Sequence, residues 1–332
     1  MSYPLLRSLF ALALLALAGL AQAQVIVDTA YVQEALKRNV QVWDVRGDKE
    51  FAAGHVPGAL SIGDAATVLR DANAEDFLAT EEIARLLGAG GVDPARETIV
   101  YGARGTWNPY FGRYALRYFG GTRVTVLHEG FEGWHAAGLP VATGPSKANP
   151  VQLALKVQPA VTVSTEDVLA RLHRPDVQIV DARTPKEYSG ADIRALRGGH
   201  IPGAINIPYE MNWNDPETLQ KLALKQVADS RGMSLRNESE LKALYAKLDP
   251  TKETVVYCQS GARASETAGV LEQLGFRNVK IYDSSWLGYG NRLDAPAANA
   301  TVFNVGAMNS TIAGLKARID ALEKELAAAK KQ

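Results

Sequence analysis

The chain has 332 residues, of which 36 are Lys or Arg and 36 are Asp or Glu, so its formal net charge at pH 7 is zero. This length is enough for about two ordinary domains, and the 47% share of hydrophobic residues supports a sizeable core. Because the charges balance and no basic stripe stands out, the composition argues against a nucleic-acid partner.

The N-terminal segment, 1–23, has the parts of a secretory signal peptide. Arg7 supplies a short basic start, an apolar run follows from Leu9 to Leu20, and Ala-Gln-Ala at 21–23 matches a small-x-small cleavage site. The apolar run is too short to span a bilayer comfortably, which disfavours the alternative of an uncleaved membrane anchor. We therefore expect cleavage after Ala23, export to a bacterial periplasm, and no stable membrane insertion afterwards.

The rest of the chain contains two copies of one sequence unit. The stretch VWDVRGDKEFAAGHVPGALSI (42–62) aligns with IVDARTPKEYSGADIRALRGGHIPGAINI (179–207), which carries a short insertion before Gly199. Each copy has an apolar run that ends in Asp-x-Arg and continues to Gly-His-aliphatic-Pro-Gly-Ala. The later halves, 98–141 and 254–297, each have an apolar run, a small-residue loop, apolar residues at helical spacing and a second apolar run.

Strands that alternate with helices in both copies predict an α/β fold, in which each domain has a mostly parallel sheet flanked by helices. We place the domains at 25–145 and 155–300. The stretch TGPSKANPVQ (143–152), rich in Gly, Pro, Ser and Asn, is the linker. The aromatic segment WNPYFGRY (107–114) suggests either a partner site or, more simply, packing between the domains.

The tail, 305–332, differs from this pattern. Its apolar residues are spaced alternately by three and four positions, which is typical of a coiled-coil seam: Val305, Met308, Ile312, Leu315, Ile319, Leu322 and Leu326. The spacing predicts an amphipathic helix whose residues 305–328 join copies of the chain into a homo-oligomer, either a dimer or a trimer. The alternative is a single helix that lies on the protein's own surface.

The only cysteine of the chain, Cys258, follows a predicted buried strand and precedes a small-residue loop. A lone cysteine is either a small buried hydrophobe or a reactive thiol. Parallel sheets place ligands at the edge where this strand ends, and the N–H groups of a loop that leads into a helix can converge on an anion. With Arg263 and a helix that begins near Ala264 or Ser265, they are expected to stabilise Cys258 as a thiolate, while Gly261 permits a sharp turn or positive φ.

A nucleophilic sulfur in an anion-binding loop suits either a cysteine phosphatase or sulfur transfer through a persulfide. The phosphatase signature is Cys-x5-Arg, whereas only four residues separate Cys258 from Arg263. The shorter ring suits a single sulfur atom bound to Cys258, which favours sulfur transfer.

Three motifs resemble the tandem-domain rhodaneses, the thiosulfate and mercaptopyruvate sulfurtransferases. They are GHIPGA at 199–204 with its partner at 54–59, the loop CQSGAR at 258–263, and YDSSWLGYGNR at 282–292, where Tyr289 replaces the usual Trp. The resemblance implies ping-pong catalysis with no metal or organic cofactor, in which Cys258 passes sulfur from an anionic donor to a thiol or cyanide. Gly102 stands where Cys258 would be in the first copy, so the first domain is expected to be non-catalytic.

The resemblance also implies a set of site residues. Cys258 is the catalytic residue, and the candidates for substrate binding are Gln259, Ser260, Gly261, Ala262, Arg263, Ala264, Arg183, Arg194, Arg197 and Trp286. Known subclasses tend to have an arginine where this chain has Glu187, and Arg194 or Arg197 from the insertion could supply the missing contact.

Some of these residues have structural alternatives. Arg183 can form a salt bridge with Asp181, the motif histidines His55 and His200 can stabilise turns, and Trp286 can belong to the core. The loop matches neither the basic loop of thiosulfate-specific members nor the Cys-Gly-Ser-Gly loop of mercaptopyruvate enzymes. We favour thiosulfate as the donor. A 3-mercaptopyruvate sulfurtransferase and a non-enzymatic persulfide carrier or interaction module are the alternatives.

Overall fold

The computed structural model describes residues 24–71, 73 and 76–330. The predicted signal peptide, 1–23, lies outside the described residues, so cleavage and export stay predictions. Within those described ranges, no helix combines the length and the apolar character needed to cross a bilayer.

Two five-stranded sheets form the body of the protein. Their strand orders are β1-β5-β4-β2-β3 and β6-β11-β10-β7-β9, and all neighbouring strands within each sheet run parallel. The strands are β1 (Ile26–Val27), β2 (Gln41–Asp44), β3 (Leu60–Ser61), β4 (Thr98–Tyr101), β5 (Val124–Leu127), β6 (Thr162–Val163), β7 (Val177–Asp181), β8 (Arg197–His200), β9 (Ile205–Asn206), β10 (Glu253–Tyr257), β11 (Val279–Tyr282) and β12 (Ala298–Val302). Strand β12 pairs antiparallel with β8. The strand orders of the two five-stranded sheets are identical when each strand of the first copy is matched to its counterpart in the second. The sequence repeat is therefore also a repeat of the sheet, and the predicted α/β fold is confirmed.

Helices flank both sheets, as the alternation of elements predicts. They are α1 (Thr29–Lys37), α2 (Asp48–Ala53), α3 (Ala65–Val68), α4 (Thr80–Ala89), α5 (Asn108–Tyr118), α6 (Gly130–Ala136), α7 (Thr165–Arg171), α8 (Pro185–Tyr188), α9 (Thr218–Ala223), α10 (Glu238–Leu244), α11 (Ala262–Gln273), α12 (Ser285–Asn291) and α13 (Val305–Ala329). Short 3-10 turns lie at Pro159–Val161, Tyr209–Asn212 and Arg231–Met233. Helix α11 directly follows the Cys258 loop.

The two domains meet where α5 of the first packs against α11 of the second. The ring of Tyr110 lies so close to Gly269 that a Cβ there would come within 2.6 Å of Tyr110 Cδ1. Phe111 and Tyr114 belong to the same buried apolar cluster as Ala268 of α11. The aromatic segment at 107–114 is therefore accounted for by packing between the domains.

An ion-pair cluster lies at the other end of the contact between α5 and α11. Glu272 accepts bonds from Arg113 at 2.6 Å and from Arg117 at 2.5 Å. Burial alone would raise the pKa of Glu272, but the attraction of the two guanidinium groups outweighs it and holds that pKa below its ordinary value. The carboxylate is therefore ionised where it bridges the domains.

The tail forms a single helix, α13, of 25 residues. All of its residues are exposed except Ala321, which is half-buried. The apolar seam is thus open to solvent along its length, which does not fit the alternative of a helix packed on the protein's own surface.

Replacing Glu272 with Gln removes the charge that Arg113 and Arg117 share. Because a buried cation without its partner is costly, we expect the free energy of unfolding at pH 7 to fall by about 3 kcal/mol in urea titrations. The matched control is Glu82→Gln, which removes only an exposed pair with Arg85 and is expected to change nothing measurable. Since folding lowers the pKa of Glu272, its contribution is complete above its ordinary value of 4.5 and is lost as pH falls through the folded-state pKa. An equal loss of unfolding free energy in both variants would contradict the stabilising role assigned to the ion pairs of Glu272.

Candidate active site

Cys258 lies at the C-terminal edge of the second sheet, directly after β10. The residue is only 1% exposed and is a member of the apolar cluster that the two domains share. The thiol is therefore almost completely shielded from solvent in this structure.

The hydroxyl of Ser285 holds this loop in a closed curve. Its Oγ accepts the N–H of Cys258 at 3.0 Å and the N–H of Gly261 at 2.9 Å, and it donates to the carbonyl of Tyr282 at 2.7 Å. A hydroxyl offers one donor and two acceptor positions, so these three bonds satisfy it completely. The two ends of the loop are thereby tied to one buried side chain.

Helix α12, which begins at Ser285, also binds the loop from its backbone. The N–H groups of Trp286 and Leu287 donate to the carbonyls of Cys258 and Gln259 at 3.0 Å and 2.9 Å. The helix therefore satisfies both of these carbonyls, while the side-chain oxygen Oε1 of Gln259 stays buried without a partner among the described residues.

Several N–H groups of the loop have no hydrogen bond within the described part of the chain. They belong to Gln259, Ser260, Ala262, Arg263 and Ala264. Helix α11 begins at Ala262, earlier than the expected Ala264 or Ser265, because Gly261 takes a left-handed conformation with φ 76° as its N-cap residue. The first N–H groups of a helix have no partner within it and lie at its positive end, so this loop is suited to bind an anion.

Gly261 is required by its surroundings as well as by its φ. A Cβ at this position would lie 2.6 Å from Oδ1 of Asp283 and 3.1 Å from Nη2 of Arg70. Arg70 belongs to the first domain and forms a 2.5 Å ion pair with Asp283. Burial raises the pKa of Asp283 to about 6 although Arg70 acts in the opposite direction. The first domain therefore reaches the catalytic loop through Arg70.

Arg263 pairs with Glu187 instead of extending toward a substrate. Its two terminal nitrogens each bind one carboxylate oxygen of Glu187 at 2.8 Å, and Arg194 adds a contact of 3.1 Å. Burial alone would raise the pKa of Glu187, but the bonds from Arg263 and Thr184 lower it to about 2. The carboxylate thus stays ionised, and it cancels much of the positive field that we expected Arg263 to add at Cys258.

The other candidate side chains bind mainly to the protein itself. Arg183 is buried against Asp181, with bonds of 3.0 Å and 2.6 Å, and its guanidinium lies 4.6 Å from the ring centre of Trp286. The indole of Trp286 is 1% exposed and donates to the carbonyl of Arg197 at 3.0 Å. These contacts support the salt-bridge interpretation of Arg183 and the core interpretation of Trp286.

The insertion before Gly199 is also hydrogen-bonded to the Cys258 loop. The side-chain amide of Gln259 donates to the carbonyl of Arg194 at 2.7 Å, while Ser260 is half-buried in the loop. Arg197 uses Nη2 to bind the carbonyl of Arg292 at 2.7 Å. Arg194 reaches the site through Glu187, whereas Arg197 is directed to the end of α12.

The first copy of the domain separates structural features from those specific to the cysteine site. Arg46 repeats the arrangement of Arg183, with bonds to Asp44 at 2.6 Å and to the carbonyl of Gly54 at 2.7 Å. His55 and His200 each place Nδ1 within 2.9 Å and 2.8 Å of a backbone carbonyl and stack on a neighbouring aromatic ring. Because these features also occur in the copy without a cysteine, the fold alone accounts for them.

Other features occur only beside the cysteine. In the first copy, Gly102 stands in place of Cys258, Gly130 in place of Ser285, and the exposed Glu50 in place of the buried Glu187. The backbone is nevertheless the same there, since the N–H of Phe131 donates to the carbonyl of Gly102 at 2.9 Å, as Trp286 does to Cys258. Three features therefore occur together in the second domain and are absent from the equivalent positions of the first: the thiol of Cys258, the hydroxyl of Ser285 and the buried carboxylate of Glu187.

Sequence reasoning missed Ser285, Asp283 and Arg70 as site residues. The first two were visible in the motif YDSSW, whose serine and aspartate both face the loop. No local pattern marks Arg70, because its partner Asp283 is 213 positions away in the chain.

Replacing Ser285 with Ala leaves the N–H groups of Cys258 and Gly261 buried without an acceptor. We expect the free energy of unfolding to fall by about 2 kcal/mol and the loop to open, so that a neutral alkylating reagent modifies Cys258 faster. Because Cys258 is the only thiol, mass spectrometry follows its alkylation directly. The control is Ser284→Ala, whose hydroxyl makes a long contact of 3.4 Å to Asp76. Indistinguishable behaviour of the two variants would show that Ser285 does not hold the loop.

Comparison with known proteins gives consistent relatives. The sequence profile of the rhodanese-like domain matches residues 28–137 and 164–292. The chain is 36% identical over 260 residues to a thiosulfate sulfurtransferase of Corynebacterium glutamicum, covering 74% of this chain and 80% of that protein. It is 31% identical over 297 residues to the sulfur carrier protein TtuD of Thermus thermophilus, covering 84% and 98%.

A solved structure agrees with these matches. The 3-mercaptopyruvate sulfotransferase SseA of Escherichia coli has a TM-score of 0.64 and 26% identity, over 79% of this chain and 99% of that one. The profile matches once in each sequence repeat and together the two matches cover more than half of the chain. The chain therefore belongs to the rhodanese family, with two rhodanese-like domains of which the second holds the cysteine.

Proposed function

We propose that this protein is a sulfurtransferase that moves sulfane sulfur from thiosulfate or a similar donor to a thiol or cyanide through a persulfide on Cys258. The observation that carries this proposal is that Cys258 begins a loop whose N–H groups, up to the start of α11, mostly have no hydrogen bond within the described residues. The relation to the Corynebacterium thiosulfate sulfurtransferase supports the same reaction and donor.

The first half-reaction follows from a thiolate facing that loop. The sulfur of Cys258 attacks the outer sulfur of thiosulfate, the S–S bond breaks, and sulfite leaves with the electron pair of that bond. The outer sulfur stays on Cys258 as a persulfide. Its negative charge is stabilised by the N–H donors of the loop, whose curve is set by the bonds to Ser285.

The second half-reaction restores the cysteine. A thiolate or cyanide attacks the terminal sulfur, forms a new bond to it, and Cys258 departs as the thiolate. Neither half-reaction needs an external oxidant or reductant, because the leaving group keeps the electron pair of the broken S–S bond and the attacking group supplies the pair of the new bond. The first domain contributes by packing on α11 and by placing Arg70 beside Gly261.

A 3-mercaptopyruvate sulfurtransferase is the second candidate, and the charge of the site favours it. Glu187 neutralises much of the charge of Arg263, so the site offers less excess positive charge to a dianion than the loop sequence predicts. Mercaptopyruvate carries a single negative charge on its carboxylate, whereas thiosulfate is a dianion. The likeness to SseA points in the same direction.

Replacing Cys258 with Ser removes the nucleophile while it keeps the size and the backbone of the loop. We expect no sulfite release from thiosulfate and cyanide, a variant that still folds, and no gain of one sulfur mass on incubation with thiosulfate. The wild-type protein is expected to gain that mass on the peptide that contains Cys258. Sulfur transfer retained in the variant would reject the mechanism.

Replacing Glu187 with Gln tests what sets the donor preference. Glutamine keeps the bonds to Thr184 but removes the charge that cancels Arg263. We expect the KM for thiosulfate to fall about fivefold and the KM for 3-mercaptopyruvate to fall less, since the dianion gains more from the added positive charge.

Glu50→Gln is the matched control for that experiment. It makes the same change at the equivalent exposed position of the first domain, where no cysteine is present. Its kcat/KM values are expected to equal those of the wild type. An equal response of both donors to Glu187→Gln would contradict the assigned role of the buried carboxylate.

A further inference from the structure

Helix α13 exposes a continuous apolar line that no other described part of the chain covers. The seven side chains of the seam from Val305 to Leu326 are between 39% and 60% exposed. The helix is 25 residues long, about 37 Å, and the side chain of Asn304 caps its first turn by accepting from the N–H of Ala307 at 2.9 Å. A stable helix with such a line is suited to pack against another helix.

We infer that α13 joins two copies of this chain into a parallel, in-register, two-stranded coiled coil. The spacing of the seam divides its residues into two alternating core positions. The first position holds Val305, Ile312, Ile319 and Leu326, and the second holds Met308, Leu315 and Leu322. β-Branched residues at the first position with leucine at the second favour two parallel strands over three or four.

The charges beside the seam fit a second copy of the same helix. In a parallel pair, the residue just before a first-position core residue faces the residue five positions later on the partner helix. Arg318 is followed at this distance by Glu323, and Glu325 is followed by Lys330. Each relation occurs twice in a symmetric dimer, so four opposite-charge contacts flank the seam and no like-charge contact does.

The attachment of α13 fixes where the catalytic domains lie in such a dimer. Strand β12 pairs with β8 of the second domain, and only Phe303 and Asn304 separate β12 from α13. Because the coil is parallel, both catalytic domains are held at its N-terminal end. The seam is remote in sequence from Cys258, so the assembly does not depend on the proposed sulfur transfer.

The purified full chain is expected to sediment at equilibrium with twice its monomer mass. Replacing Leu315 and Leu322 together with Glu is expected to give monomers with unchanged sulfur transfer, because both side chains are exposed in the single chain. A monomeric wild type, a trimer, or a dimer that persists in this variant would each overturn the inference.

A charge exchange tests the parallel register itself. Arg318→Glu alone places Glu beside Glu323 of the second copy, and we expect the dimer dissociation constant to rise about tenfold at low salt. The double variant Arg318→Glu/Glu323→Arg exchanges the two charges and is expected to return the constant to within about twofold of the wild type.

Lys324→Glu is the control for that exchange. It makes the same change in net charge on the outer side of the same helix, and it is expected to leave the dissociation constant unchanged. Failure of the double variant to restore association, or an equal effect of Lys324→Glu, would overturn the parallel pairing.

Discussion

The two hydrogen bonds that Ser285 accepts from Cys258 and Gly261 constrain the whole catalytic end of the second domain. With both N–H groups bound to one oxygen, the chain after β10 has to curl within four residues, and Gly261 has to adopt a positive φ. Helix α11 then starts at once, and most loop N–H groups that do not reach Ser285 have no partner between residues 24 and 330 as far as the structure describes them. One buried hydroxyl thus gives an ordinary strand-to-helix connection the curve of a loop suited to bind an anion.

The contacts that the first domain makes with the second give a structural role to the copy that has no cysteine. Its helix α5 packs along α11, and it contacts the two ends of the catalytic region through different residues. Arg70 binds Asp283 beside the loop, and Arg113 with Arg117 binds Glu272 at the far end of the helix. The helix that begins directly after the Cys258 loop is therefore held in position from outside its own domain.

The sequence was sufficient for the fold and for the position of the cysteine, because both depend on local periodicity and on a repeat. The positive φ of Gly261 was also predictable from the residue type. The partner of Arg263 was not: Glu187 lies 76 positions away, and in sequence it looks only like the loss of an arginine. The start of α11 was placed too late because Ser285, which forces the early turn, belongs to another helix.

The ion pair between Arg263 and Glu187 changes how an anion is recognised at this site. A free guanidinium would bind the donor, the persulfide and the leaving sulfite alike, since all of them carry negative charge. With its charge cancelled by Glu187, binding depends on the N–H groups of the loop, whose dipoles act only on an atom placed at the centre of the curve. In the proposed mechanism that place belongs to the outer sulfur of the Cys258 persulfide, whereas sulfite is released away from it. Such a loop would stabilise the persulfide more than the product that has to leave, which is what a two-step transfer requires.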